Sequence, residues 1–251
     1  KFTAEDPPLV VKQDEDTGQT ILSGMGELHL EVIISRMIRE FKTTVNIGKP
    51  QVVHKEAIEN EGSATTEFDR EVAGQRQYAE VSIKIIPQPR GAGNSFKSKV
   101  PEDVIPEEFI ASIRKGVMDS LESGAHMGYR VTDVKAVLTG GKFKDSLSSE
   151  LAYTVCASMA CKEALTKGNP YLLEPVMEVE IFLPESFTGD VIGDINSRSG
   201  KIESVETNKG IKTIKATVPL SRMFGYSTSL RSASQGRGTF TMQFSHFDRS
   251  G

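Results

Sequence analysis

Residues 177–200 read MEVEIFLPESFTGDVIGDINSRSG. Met177–Leu183 alternates apolar and charged side chains, the period of a half-buried strand. After Pro184 the period changes. Phe187, Val191, Ile192 and Ile195 recur at helical spacing, and Arg198 followed by Gly200 is a helix stop. Toward the C-terminus, Ile202–Thr207 and Ile211–Val218 read as strands joined by the turn Asn208-Lys209-Gly210. A second helix is expected over about Ser221–Ser232, and Thr239–Phe247 alternates again as a last strand. The order β-α-β-β-α-β is that of a ferredoxin-like split βαβ unit.

The start of the chain reads as part of the same unit. Leu9–Gln13 and Thr20–Ser23 are expected strands around the turn Glu15-Asp16-Thr17-Gly18, and Gly24–Gly26 opens an amphipathic helix. Leu30, Ile33, Ile34, Met37, Ile38 and Phe41 form its apolar stripe, and Thr43–Ile47 reads as a closing strand. That is β-β-α-β, a ferredoxin-like unit without its leading β-α pair, so the domain is expected to begin upstream of Lys1.

The middle has another pattern. Strands are expected at Gln51–Ile58, Ala64–Val72 and Tyr78–Ile86, then a Pro/Gly-rich connection and a basic hairpin-like stretch, FKSKV at 96–100. A helix over Glu107–Ser123, a strand over Val131–Thr139, a polar loop over Gly140–Leu147 and a long helix over Ser148–Lys167 complete an α+β domain. Its sheet is expected to be predominantly antiparallel. The chain is thus read as α+β in three domains, 1–48, 49–170 and 171–251.

Composition narrows the function. The 251 residues carry 25% charged and 37% hydrophobic side chains at net charge −4, so a folded chain is expected, and nucleic-acid binding would need local basic patches. No apolar run approaches the ~20 residues of a membrane span. Cys156 and Cys161 lie about 140° apart around one expected helix and are read as buried reduced thiols. His29, His54, His126 and His246 fall in different elements, so neither a metal site nor a Cys/His nucleophile is expected. No carboxylate pair stands out for two-acid hydrolysis.

Glycine-rich turns offer little phosphate chemistry. Gly24-Met25-Gly26 lacks the third glycine of a dinucleotide fingerprint and is followed by Glu27, so a tight strand-to-helix turn is the better reading. No GxxxxGK[ST] run occurs. Gln235-Gly236-Arg237-Gly238 reads as a turn that could alternatively touch phosphate. Two polar segments of the middle domain remain. Gly74-Gln75-Arg76-Gln77-Tyr78 and Gly140-Gly141-Lys142-Phe143-Lys144-Asp145 could share one sheet end, giving cations, amides and two aromatics suited to RNA. Exposed loops without function are the plainer alternative, and no catalytic residue is expected.

The longest motifs carry a resemblance. SGMGELHLEVIISRMIREF at 23–41, GKPQVVHKEAI at 48–58, GDVIGDINSRSGKIE at 189–203 and FGYSTSLRSASQGRGTF at 224–240 resemble bacterial elongation factor G. The resemblance covers essentially the whole chain. It implies a partial third domain, a fourth domain with the fold of ribosomal-protein-S5-domain-2, and a complete ferredoxin-like fifth domain. By this resemblance the chain is not itself an enzyme. GTP and Mg belong to a missing N-terminal domain of a GTPase parent, expected to be cytoplasmic and monomeric.

The implied partners are the ribosome, tRNA and mRNA. Gln75, Arg76, Gln77, Tyr78, Lys142, Phe143, Lys144 and Asp145 would contact RNA at the small-subunit decoding site. Ser23, Gly24, Met25, Gly26 and Glu27 would relay between domains, and Arg198, Arg231, Gln235 and Arg237 would face large-subunit RNA near the GTPase-activating centre. The sequence departs from the family at this tip. Ala79-Glu80 replaces Gly-His, Lys144 stands for the usual histidine and Leu147 for an aspartate. A lysine holds phosphate as a point charge without imidazole geometry, and Glu80 would repel phosphate. The implied function is translocation. A paralogue acting in recycling or ribosome protection is the alternative, and a ribosome-independent ferredoxin-like binding module a remote third.

Overall fold

In the computed structural model the described residues are 9–13, 20–24, 27–42, 52–72, 74–208 and 210–251. They fall into two compact units, residues 53–175 with 246–251, and residues 1–52 with 176–245.

The first unit is built on a long hairpin. β4 (Gly62–Val72) and β5 (Gln75–Pro87) pair in register from Gly62↔Ile85 to Val72↔Gln75. β7 (Val134–Lys142) pairs antiparallel with β5, and β6 (Ser95–Ser98) pairs parallel with β7, giving the order β4-β5-β7-β6. One sheet face carries Ala79, Val81, Ile83 and Ile85, all buried, because alternate β5 residues are apolar. Two helices cover that face, α2 (Ile110–Ser123), entered through a 3-10 turn at Glu107–Phe109, and α3 (Glu150–Lys167). Ile113, Val117 and Leu121 recur at helical spacing and are completely buried. Small residues on α3 (Ala152, Ala157, Ala160, Ala164) let it lie close to the sheet. Polar bonds join the helices, Ser120 Oγ to Ser158 Oγ at 2.7 Å and Thr154 Oγ1 donating to Ser112 O at 3.3 Å. Each buried Val, Leu or Ile contributes roughly 1.5–3 kcal/mol. β3 (Lys55–Ile58) pairs antiparallel with Pro170–Leu173, the start of β8 (Pro170–Pro184).

The second unit contains the ferredoxin-like order. β8 is followed by α4 (Thr188–Ser197), β9 (Lys201–Asn208), β10 (Ile211–Pro219), α5 (Tyr226–Ala233) and β11 (Thr239–Arg249). The sheet order is β11-β8-β10-β9, with β10 antiparallel to both β8 and β9. Val179, Ile181, Leu183, Ile214, Ala216 and Val218 form its core with Val191, Ile195, Tyr226 and Leu230 of the helices. Nearer the N-terminus, β1 (Val10–Gln13) pairs antiparallel with β2 (Thr20–Ser23), and α1 spans Glu27–Phe41. Among the described residues no helix is long and apolar enough to cross a membrane.

The α+β class and the ferredoxin-like order are as the sequence predicts, with local corrections. FKSKV is not a hairpin: Ser95–Ser98 forms a parallel edge strand. Of the strand expected at Gln51–Ile58, Lys55–Ile58 is strand and residues 52–54 are not, while Gln51 lies outside the described residues. Gln75–Gln77 and Gly140–Lys142 belong to strands rather than loops. The helix expected from Ser221 starts at Tyr226, because Leu220–Arg222 closes a 3-10 turn and Gly225 at φ 74° redirects the chain. The turn at 15–18, the strand at 43–47, Met25, Gly26 and Lys209 lie outside the described residues.

Candidate functional site

The hairpin ladder carries Gln75–Tyr78 to the end of the four-stranded sheet, where β7 also ends and hands the chain to the loop before α3. The two sequence-predicted segments therefore meet. The Tyr78 N–H donates to Leu147 O at 2.8 Å, and Ser149 Oγ donates to Gln77 Oε1 at 2.8 Å. Ser149 is also the N-cap of α3, accepting from Ala152 N at 3.1 Å. The loop closes on itself: Lys144 N donates to Ser148 Oγ at 3.1 Å, and Ser148 N donates back to Lys144 O at 3.0 Å.

Arg76, Lys142 and Lys144 are each engaged within the protein. Arg76 forks onto Asp69, with both N–H···O distances 2.7 Å. The Arg76 hydrogen bond holds the Asp69 carboxyl below the usual carboxylate range. Lys142 Nζ lies 2.7 Å from Glu80 Oε2, its register partner across β5–β7, and that bond raises the Lys142 pKa. Lys144 Nζ sits 3.4 Å from the Tyr78 ring centroid. Glu80 is consequently neutralised by Lys142 rather than presented as an unpaired acid.

The aromatics are not equivalent. Tyr78 is only 2% exposed, so its ring is closed to base stacking in this conformation. Burial pushes its phenol pKa up, with Glu67 and Glu80 adding to the shift. Phe143 is 37% exposed and rests on Phe109, ring centroids 5.8 Å apart. Gln75, Arg76, Lys142, Lys144 and Asp145 are exposed, and Gln77 is half-buried. Such a tip can accept and donate hydrogen bonds and hold charge. The thiols are inert. Cys156 and Cys161 are both buried and unbridged, and burial pushes Cys161 to about 12.

Elsewhere the expected site residues diverge. Ser23 ends β2, Gly24 is exposed and Glu27 begins α1. Arg198 is largely a structural clamp. It bonds Asp194 Oδ2 at 3.0 Å, Arg222 O at 2.6 Å and Ser229 Oγ at 2.8 Å, and lies 5.1 Å over Tyr226. Arg231, Gln235 and Arg237 are exposed, and neither arginine has an ion-pair partner among the described residues. The stretch Thr207–Phe247 contains six Lys and Arg residues and no acid, and of these Lys212 and Lys215 pair with Glu185 and Glu180.

Sequence reasoning also missed Glu56, a glutamate that is completely buried. Its carboxylate accepts N–H bonds from Ala125, His126, Met127 and Tyr129 at 2.8–3.1 Å. Nothing in KEAI announces that role, because the donors lie about 70 residues away and are main-chain groups.

Comparison with known proteins matches the chain along its length. Residues 1–49 match elongation factor G, domain III; residues 50–169 match elongation factor G, domain IV; residues 171–251 match the elongation factor G C-terminus. A crystal structure of a protein from Thermus thermophilus superposes with TM-score 0.83 at 29% identity, covering 100% of this chain. The chain spans 37% of that protein's length. These matches leave no length of chain for a GTPase domain. The chain belongs to the elongation factor G family of translation factors, of which it carries the domain III, domain IV and C-terminal regions.

Proposed function

We propose that this chain is the ribosome-engaging arm of an elongation-factor-G-type GTPase that promotes translocation of tRNA and mRNA. The tip at 75–78 and 142–149 enters the small-subunit decoding site and acts as a wedge that biases RNA positions. The observation carrying this reading is the main-chain bond from Tyr78 N to Leu147 O, which supports treating two separate segments as one stiff end. Arg231, Gln235 and Arg237 face large-subunit RNA near the GTPase-activating centre, and Ser23–Glu27 relays between domains. GTP and Mg are held by another domain of a monomeric, cytoplasmic parent. The residues in hand do not fit them. There is no GxxxxGK[ST] run, and no group of three or more His, Cys, Asp and Glu among the described residues could hold a metal ion.

Replacing Gln75–Tyr78 and Lys142–Asp145 by Gly/Ser in the full-length parent is expected to abolish single-turnover mRNA translocation. Ribosome-stimulated GTP hydrolysis should remain largely intact. If both activities fell together, the tip assignment would be wrong.

A second reading, a paralogue acting in recycling or ribosome protection, is favoured by one observation. The tip cations Arg76, Lys142 and Lys144 are taken up by Asp69, Glu80 and Tyr78. Subunit splitting in the presence of recycling factor, without translocation by the wild-type parent, would select it. Failure of the parent to sediment with ribosomes would instead revive a ribosome-independent binding module.

A further inference from the structure

β6 ends the four-stranded sheet, and its outer edge has no strand partner among the described residues. The Lys99 N–H donates inward to Leu138 O at 3.0 Å. In a parallel ladder alternate residues bond the same neighbour, so the main-chain groups of Lys97 also face β7. Those of Phe96 and Ser98 face off the sheet. Between this edge and α2 runs an open groove of about 620 Å³. Phe96, Ile110 and Met118 give it an apolar floor, Arg114 and Lys115 stand on its helix wall, and Glu107 lies at the helix's N-terminal end.

The charges around this edge differ from those at the tip. Lys97, Lys99, Arg114 and Lys115 are exposed, Lys135 is half-buried, and none has an ion-pair partner among the described residues. Their placement alternates. Phe96 and Ser98 line the groove, so Lys97 and Lys99 project from the opposite sheet face, the face that Lys135 shares by register with Ser95.

We propose that the β6 edge binds an extended peptide of alternating apolar and acidic residues as a fifth strand of this sheet. The peptide backbone pairs with the outward N–H and C=O groups of Phe96 and Ser98. Its apolar side chains enter the groove over Phe96, Ile110 and Met118. Its acidic side chains lie on the other face beside Lys97 and Lys99, and its terminal carboxylate reaches Arg114 and Lys115. Edge lysines keep uncharged strands from pairing, and the same lysines make an acidic strand the exception.

The test uses the 251-residue chain and a fluorescein-labelled peptide of alternating Val and Glu. Saturable anisotropy is expected, with slowed hydrogen exchange at the Phe96 and Ser98 amides. Lys97→Glu with Lys99→Glu should weaken binding by about tenfold or more, since cross-strand charge pairs become repulsive. An alternating Val/Lys peptide should gain affinity for that variant. Both lysines are exposed, so exchange in β4 and β5 serves as the control for folding. Absence of saturation, undiminished binding both of a peptide N-methylated at every Val and of one N-methylated at every Glu, or charge reversal without effect would each overturn the proposal. A short RNA duplex that binds these lysines while the peptide does not would overturn it too.

Discussion

Glu56 is the residue on which most of one loop depends. Desolvation by itself would raise its pKa. The N–H bonds from Ala125, Met127, His126 and Tyr129 outweigh that and hold it below the ordinary value. A carboxyl depressed in the folded state stabilises the protein above its unfolded pKa of about 4.3, and that contribution disappears as pH falls through the folded pKa. Glu56→Gln should therefore cost about 1–3 kcal/mol near neutral pH, because the amide cannot accept all four bonds and offers donors where donors already point. The gap between wild type and variant should narrow below about pH 4. Urea unfolding at the two pH values checks this, and an equal gap at both would refute it. The loop is shaped for the carboxylate. Gly124 sits at φ 69°, and a Cβ there would meet Tyr129 O at 2.3 Å and Glu56 Oε1 at 2.8 Å.

Strands and helices show how far pattern alone reaches. The ferredoxin-like order was legible because β8, β10 and both helices bury one face and keep a clean period, while β9 and β11 alternate half-buried with exposed residues at their starts. The tip strands were not. Gln75-Arg76-Gln77 has no apolar alternation, and it is extended only because the β4–β5 ladder runs on to Val72↔Gln75. Gly140-Gly141 has turn chemistry in sequence, yet it lies inside β7. Its glycines mark a close approach instead: a Cβ on Gly141 would lie 2.3 Å from Glu80 O and 2.6 Å from Ile105 Cδ1. Nor does a short basic run reveal whether it pairs parallel, as Ser95–Ser98 does with β7. The candidate site was legible as two segments, whereas its ion pairs depend on register, which no single segment encodes. Gly141→Ala should push β7 from β5, destabilise the unit by about 1–3 kcal/mol and speed exchange at the Tyr78 amide. A variant with wild-type stability and unchanged Tyr78 exchange would show that the approach is not tight.

At the scale of the whole chain, sequence neighbours are not always structural neighbours. The last residues, 246–251, belong with residues 53–175, although Thr239–Ser245 of the same strand belongs with 176–245. The attachment is specific. Ser250 N donates to Leu172 O at 3.0 Å, and Arg249 reaches Glu59 at 3.5 Å and lies 4.5 Å over the Tyr171 ring. Lys55 Nζ lies 4.1 Å over Phe247. These contacts all fall on β3, the residue just after it, or the start of β8, where Lys55–Ile58 pairs with Pro170–Leu173. Ending the chain at Ser245 should therefore loosen that short pairing while leaving β4, β5 and β7 protected. The expected loss is about 1–2 kcal/mol, set by a main-chain bond and cation–π contacts, since an exposed ion pair adds little. Hydrogen exchange separates the contributions: Arg249→Gln in the full chain should speed exchange at Lys55–Ile58 less than truncation does. Unchanged protection of Lys55–Ile58 and of Leu172–Leu173 after truncation would mean that β3 and β8 hold each other without the C-terminal residues, and the clasp would then be only a surface contact.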